Sequence, residues 1–366
     1  MAEKKIGISP DLIIPPGETI AELLEDRNLT QAELAAIVGK TPSFLSQVIN
    51  GSKRISPTFA KKLEYAFGVP ASFWNNLQAN YDAELYSYEE ANSITKEEKA
   101  IASKDLKEFA SYLFQKSGMK TCRKADEAVL SLRRMLRVSS LCNLSNVALQ
   151  GAYRISDEKT MNQYVMGAWV RMCQLIGEKS TVKNIFDKSS IGLLIDSLKK
   201  IMCNNRQDLQ RSLIELFSQF GIQLSLVRHF KGAPVQGYIC KRNDGSYQMV
   251  LTLRKAWADI FWFSLFHELG HIYNGDVTQK RKFVDYERGS VEEAAADQFA
   301  CDHLLSPDAY MDFCKVANFQ RSSIVDFAKS QGVKPYIVIG RLQRERRLPY
   351  GAFDDLKLRY KWKETA

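Results

Sequence analysis

Histidine is scarce in this chain, with four among 366 residues, and no stretch is both uncharged and long enough to span a bilayer. The start, Met1-Ala2-Glu3-Lys4-Lys5 running into Ile13-Ile14-Pro15-Pro16, lacks the apolar run that a secretion signal requires. The seven cysteines, Cys122, Cys142, Cys173, Cys203, Cys240, Cys301 and Cys314, are odd in number, scattered, and never form a Cys-x-x-Cys pair. That pattern fits buried thiols in a reducing compartment, so a cytoplasmic location without membrane contact is expected. Internal repeats and low-complexity linkers are also missing. So is any positive excess at the N-terminus: residues 1–82 hold eight Lys/Arg against nine Asp/Glu, although the whole chain carries +9. The excess lies downstream, notably at 341–363, where Arg341, Arg344, Arg346, Arg347, Lys357, Arg359, Lys361 and Lys363 face only Glu345, Asp354 and Asp355.

What is present reads as a predominantly helical α+β protein of two or three domains, with 45% hydrophobic residues to build their cores. From Gly17 to Asn80 five short helices are predicted, divided by explicit start and stop signals. Thr30-Gln31-Ala32-Glu33 is a capping box. Thr41-Pro42 and Ser56-Pro57 are N-caps with proline in the first helical position, and Gly39 and Asn50-Gly51 are stops. About three residues separate the second and third helices, the connection of a helix-turn-helix. Residues 95–220 are helical by periodicity, with one stripe of Leu106, Phe109, Ala110, Leu113 and Phe114 and another of Ile191, Leu194, Ile195, Leu198 and Met202. A period of two then takes over at Ile222, Leu224 and Leu226. Two runs follow, Val235–Cys240 and Tyr247–Leu253, joined across Asn243-Asp244-Gly245, which predicts a small sheet. Further helices are expected at about 291–304, 321–331 and 335–346.

Two of the four histidines stand in His267-Glu268-Leu269-Gly270-His271. Four residues apart on a helix, they share a face and can present two imidazoles to one divalent cation, with Glu268 beside the open position. This is the geometry of a metallopeptidase. The competing reading is a pair of core histidines that only hydrogen-bond. A third ligand is sought in Ser290-Val291-Glu292-Glu293-Ala294-Ala295-Ala296-Asp297. Glu293 fits, with Asp297 one turn on to orient a histidine; Glu293 is equally placed to close a capping box with Ser290, and Glu292 is the fallback. His303 and His229 read as decoys. For an oxyanion donor Tyr238, Tyr273, Tyr286, Tyr310 and Arg254 stay open.

With Glu293-x-x-Ala296-Asp297-x-Phe299-Ala300 and the preceding Val250–Leu253 and Asp259-x-Phe261-Trp262-Phe263, this motif resembles the ImmA/IrrE family of gluzincin-like peptidases over about 221–350. The resemblance implies that His267, His271 and Glu293 bind the metal, zinc or alternatively manganese, and that Glu268 activates water. It further implies a protein substrate, a repressor or antitoxin, cut after stress.

At the other end, the start of a recognition helix places Thr41, Pro42, Ser43 and Phe44 toward base edges, with Gln47 one turn along. Gln47 can pair with adenine, Ser43 suits either base type, and Phe44 can meet a thymine methyl. Gln31 is placed for a phosphate, and Lys40, Lys53, Arg54, Lys61 and Lys62 supply charge. The alternative is a helical interaction module that touches no DNA. Leu29-Thr30-Gln31-Ala32-Glu33-Leu34-Ala35, Ile49-Asn50-Gly51 and Phe73-Trp74-Asn75-Asn76-Leu77-Gln78-Ala79-Asn80-Tyr81 are similar to HigA-type antitoxins of the Xre repressor class. That likeness implies homodimers on double-stranded palindromic operators, with Gln31, Thr41, Ser43 and Gln47 as contacts.

The expected organisation is therefore a DNA-binding domain at 1–82, a helical middle at 83–220, a gluzincin-like zinc peptidase domain with a small sheet at 221–350, and a basic tail at 351–366. The expected function is a transcriptional regulator whose peptidase cleaves a repressor or antitoxin in cis or in trans. Two alternatives stand beside it: a non-catalytic antitoxin and autorepressor that grips a toxin or senses a signal, and a basic tail that senses single-stranded DNA.

Overall fold

The computed structural model describes residues 12–120, 122, 124–149, 161–179, 182–204, 208–235, 237–254, 256–278 and 291–362. Tyr286, Ser290 and Lys363, weighed above, lie outside these residues. The chain divides into two compact units, Met1–Lys99 and Ala100–Ala366.

The first unit holds α1 (Pro16–Asp26), α2 (Gln31–Val38), α3 (Pro42–Ile49), α4 (Pro57–Phe67) and α5 (Ala71–Asn92). The predicted capping box is formed: the Thr30 amide donates to the Glu33 carboxylate at 2.8 Å, and the Glu33 amide donates to the Thr30 hydroxyl at 3.2 Å. Thr41 and Ser56 cap α3 and α4 ahead of their prolines, while Gly39 and Gly68 end α2 and α4 in the left-handed region that glycine enters freely. Ile20, Leu34, Leu45, Phe59, Leu63 and Trp74 form the core. The fifth helix is longer than expected. Neither glycine nor proline interrupts it between Ala71 and Asn92, so it runs through Asp82, where the domain was expected to end.

In α6 (Lys96–Ala100) the chain reaches the limit of this unit. A π-helical turn at Ile101–Asp105 follows, then α7 (Lys107–Lys116), α8 (Ala125–Leu136), α9 (Leu144–Leu149), α10 (Gln163–Glu178), α11 (Ile191–Cys203) and α12 (Leu209–Gln219). Next come strands β1 (Ile222–Val227), β2 (Gly237–Lys241) and β3 (Tyr247–Thr252). The last helices are α13 (Ala258–Asn274), α14 (Val291–Leu304), α15 (Pro307–Val316), α16 (Arg321–Ser330) and α17 (Pro335–Arg344). The strand order is β1-β3-β2, with β3 parallel to β1 and antiparallel to β2. All six residues of β3 are buried, as a central strand covered on both faces requires.

Part of that cover comes from the segment expected to form a separate middle domain. The Gln248 side-chain Nε2 in β3 donates to the Cys173 carbonyl of α10 at 2.7 Å, and Trp169 meets Tyr238 of β2 edge-on. Residues 163–178 and the sheet thus share one unit, without a break at 220. The C-terminal segment also departs from expectation over 357–360, which folds back on the start of α13. The Ala258 amide donates to the Leu358 carbonyl at 2.9 Å, and the Tyr360 amide to the Ala256 carbonyl at 2.7 Å. Lys357 meets Asp259 at 3.2 Å with both side chains nearly covered. The first amides of a helix have no partner within it, and here the returning segment supplies one. No helix among the described residues is long and apolar enough to cross a membrane.

Candidate metal centre and nucleic-acid interface

Helix α13 is buried almost all round, which places His267 and His271 in the interior, each 1% exposed. Gly275, at φ 83°, ends the helix in the left-handed region, so the chain turns back and the Asp276 amide donates to the His271 carbonyl at 3.1 Å. The same turn brings the Asp276 carboxylate to His271 Nδ1 at 2.8 Å. Asp276 was missed from the sequence, although an acidic residue directly after a C-terminal glycine is a usable signal.

On the facing side Gly270 lets α14 approach closely: a Cβ there would lie 3.2 Å from the Ala296 Cα. Glu293 and Asp297, one turn apart on α14, consequently both reach the histidines. Glu293 lies 3.3 Å from His267 Nε2 and 3.5 Å from His271 Nε2. Asp297 Oδ1 lies 2.7 Å from His267 Nδ1. Each ring thus has a carboxylate at Nδ1, which holds the proton there and leaves Nε2 as an acceptor. The two Nε2 atoms stand 3.1 Å apart. Two ring nitrogens and a carboxylate, all acceptors, converge on one point, an arrangement that is stable only around a proton or a cation.

Where a proton occupies that point, the histidines donate to Glu293 through Nε2 instead. Burial pushes the Glu293 carboxyl up, but hydrogen bonds from His267 and His271 outweigh it and hold this group well below the usual carboxylate range. Burial disfavours charge on His271, yet Glu293, Glu268 and Asp276 leave its pKa raised. Glu268 is buried on the same helix against the edge strand β2. A Cβ at Gly237 would lie 2.0 Å from Glu268 Oε1, so only glycine leaves room for this carboxylate.

The two decoy histidines and the candidate oxyanion donors have other surroundings. The His303 ring stacks on Phe299 with Nδ1 2.8 Å from that residue's carbonyl. His229 is lowered by burial and by Arg254. The Tyr310 hydroxyl donates to Glu345 at 2.9 Å, Tyr273 packs on Phe299, and Arg254 reaches the Pro234 carbonyl at 3.5 Å. Glu292 takes no part in the cluster, which consists of His267, His271 and Glu293. Much of the C-terminal positive charge is used internally: Arg341 and Arg347 pair with Glu345, Arg344 with Asp297, and Lys357 and Arg359 lie over Trp257.

In the first unit Gly39, Lys40 and Thr41 join α2 to α3. Gln31, Thr41, Ser43 and Gln47 are all exposed, and Ser43 and Gln47 share a face of α3. The Thr41 hydroxyl accepts from the Phe44 amide at 3.1 Å, fixing the start of that helix. Phe44, expected near a thymine methyl, is half-buried and packs edge-on against Phe59. Lys53 and Lys40 lie over its ring at 4.3 and 4.8 Å, so the aromatic positions two ammonium groups beside the exposed end of α3. The other cations have local partners. Arg54 pairs with Asp82, Lys61 with Glu64, and Lys62 donates to the Val38 carbonyl at 2.7 Å.

Residues 20–74 match a family model described as helix-turn-helix, wholly within the first unit. An Escherichia coli (strain K12) protein described as the uncharacterized HTH-type transcriptional regulator YddM is 33% identical over 63 residues, 17% of this chain and 67% of that protein. A crystal structure from Nostoc punctiforme PCC 73102, described as a putative antidote protein of a plasmid maintenance system, is 32% identical. It covers 22% of this chain and 97% of its own, with a TM-score of 0.20. Through its N-terminal unit, with α3 presented at the surface between capped ends, the chain belongs to the helix-turn-helix family of DNA-binding transcriptional regulators.

Proposed function

We propose that this regulator carries a zinc-dependent peptidase in its second unit, of ImmA/IrrE type, which cleaves a repressor or antitoxin protein in a stress or toxin–antitoxin response. The observation that carries the reading is the convergence of His267 Nε2, His271 Nε2 and a Glu293 carboxylate, spaced at 3.1, 3.3 and 3.5 Å. Ligands at about 2.0–2.1 Å from a tetrahedral zinc stand about 3.3 Å from one another, so this donor set fits zinc, with manganese as the alternative. When bound there, the ion would supply Lewis acidity, lowering the pKa of water and polarising a peptide carbonyl. Asp297 and Asp276 keep the proton on each Nδ1 and the rings in place. Glu268 accepts the proton of the attacking water on its carboxylate and passes it to the departing amine.

The test incubates the full chain and Glu268→Gln with zinc or manganese and with candidate repressor or antitoxin proteins, products being read by mass spectrometry. Cleavage by the wild type alone is expected; if both leave every candidate intact, and the chain itself stays whole, the peptidase reading is lost. A second reading draws on the family match, which ends at residue 74. In it the chain is a non-catalytic antitoxin and autorepressor, and Glu268→Gln leaves operator repression and toxin neutralisation unchanged.

A further inference from the structure

The positive run at the C-terminal end contains one residue that the fold turns toward the candidate centre. Arg344, the last residue of α17, donates from Nη2 to Asp297 Oδ2 at 2.8 Å, while Asp297 Oδ1 lies 2.7 Å from His267 Nδ1. Its guanidinium also lies 4.6 Å over the ring of Phe263, one helical turn before His267 on α13. Three elements therefore meet in one chain of contacts: α17 through Arg344, α14 through Asp297, and α13 through Phe263 and His267.

The geometry points to Arg344 as a positioning residue of the metal site, a role that rests on the zinc reading above. Asp297 is partly exposed, and a carboxylate open to water can rotate about its last torsion and exchange its imidazole partner for solvent. Occupying the second oxygen with a guanidinium that also lies over Phe263 restrains the carboxylate plane. Oδ1 then stays on His267 Nδ1, and Nε2 keeps its aim. An arginine suits the task better than a lysine, since its planar fork can sit over Phe263 while one edge still donates. Outer partners of metal-bound histidines typically govern metal affinity by ten- to a hundredfold on substitution, with about tenfold expected for a residue one step further out.

The experiment measures zinc affinity of the full chain by competition with a chromophoric chelator, and the visible spectrum of the cobalt-substituted protein, for wild type, Arg344→Ala, Arg344→Lys and Arg346→Ala. Arg344→Ala is expected to bind zinc about tenfold more weakly with an altered cobalt spectrum, Arg344→Lys to recover part of the loss, and Arg346→Ala to match wild type. Thermal unfolding in chelator should be the same for all four. Equal zinc affinity in Arg344→Ala and wild type overturns the proposal and leaves the zinc reading standing. Equal losses in Arg344→Ala and Arg346→Ala overturn it in favour of a general field effect. A wild type that takes up no zinc removes the zinc reading itself. Should Arg344→Ala unfold, the Lys variant carries the same comparison.

Discussion

Glu293 places one carboxylate between two imidazoles, so its removal takes away one of three converging acceptors. Glu293→Ala should therefore lose stoichiometric zinc in elemental analysis, whereas Glu268→Gln should keep it; equal zinc in Glu293→Ala and wild type rules out the ligand role. Glu345 offers a pH test away from the centre. Burial raises its carboxyl, but hydrogen bonds from Arg341 and Tyr310 hold it below the usual carboxylate range. A folded-state pKa below the unfolded one contributes stability above the unfolded value, and that stability is lost as pH falls through the folded value. Glu345→Gln should accordingly lower the urea midpoint at neutral pH and converge on wild type as pH falls through the folded value, below the ordinary glutamate range. A gap that persists in acid would show that packing, not charge, is responsible. Much of the centre was legible in the sequence, because His267, His271, Glu293 and Asp297 are tied by helical spacing. Asp276, Gly237 and Arg344 were not: a turn, a strand edge and a distant helix deliver them, and none of these has a period.

At the level of elements, the recognition helix is the best-specified part of the chain, since caps and glycine stops fixed α2 and α3 to the residue. Its exposed face separates two kinds of contact. Gln47→Ala should reduce discrimination between operator and random duplex, with a loss on the order of 1–3 kcal/mol for the affected base pair. Lys53→Ala should instead weaken both duplexes alike and reduce the salt slope of binding by about one. Fluorescence anisotropy over a range of salt measures both, and a sequence-selective loss in Lys53→Ala would contradict the assignment. Arg54, committed to Asp82, should matter less to the salt slope than Lys53. Legibility fell where partners are remote. The order β1-β3-β2, the helix Pro307–Val316 and the use of α10 as a cover depend on which surfaces meet, and amphipathic stripes state only that a face is buried.

For the whole molecule, the main hydrophobic cluster of the first unit is drawn from Ile20 to Trp74. A fragment of residues 1–99 should then melt cooperatively alone and bind operator DNA, as circular dichroism and anisotropy would show. A fragment lacking a cooperative transition would mean that the second unit is needed for its folding. The sequence divisions at 82 and 220 both moved for one reason: composition marks a change of pattern, whereas a unit closes only where its buried faces are covered. The segment that folds back on α13 has a bearing on biosynthesis. Trp257–Asp259 leave the ribosome roughly a hundred residues before Lys357–Tyr360 can bridge to them, while the helix-turn-helix has been complete since early in translation. A nascent or prematurely stopped chain would thus present a finished helix-turn-helix while its second unit is incomplete, so synthesis itself sets the order in which the two units become available.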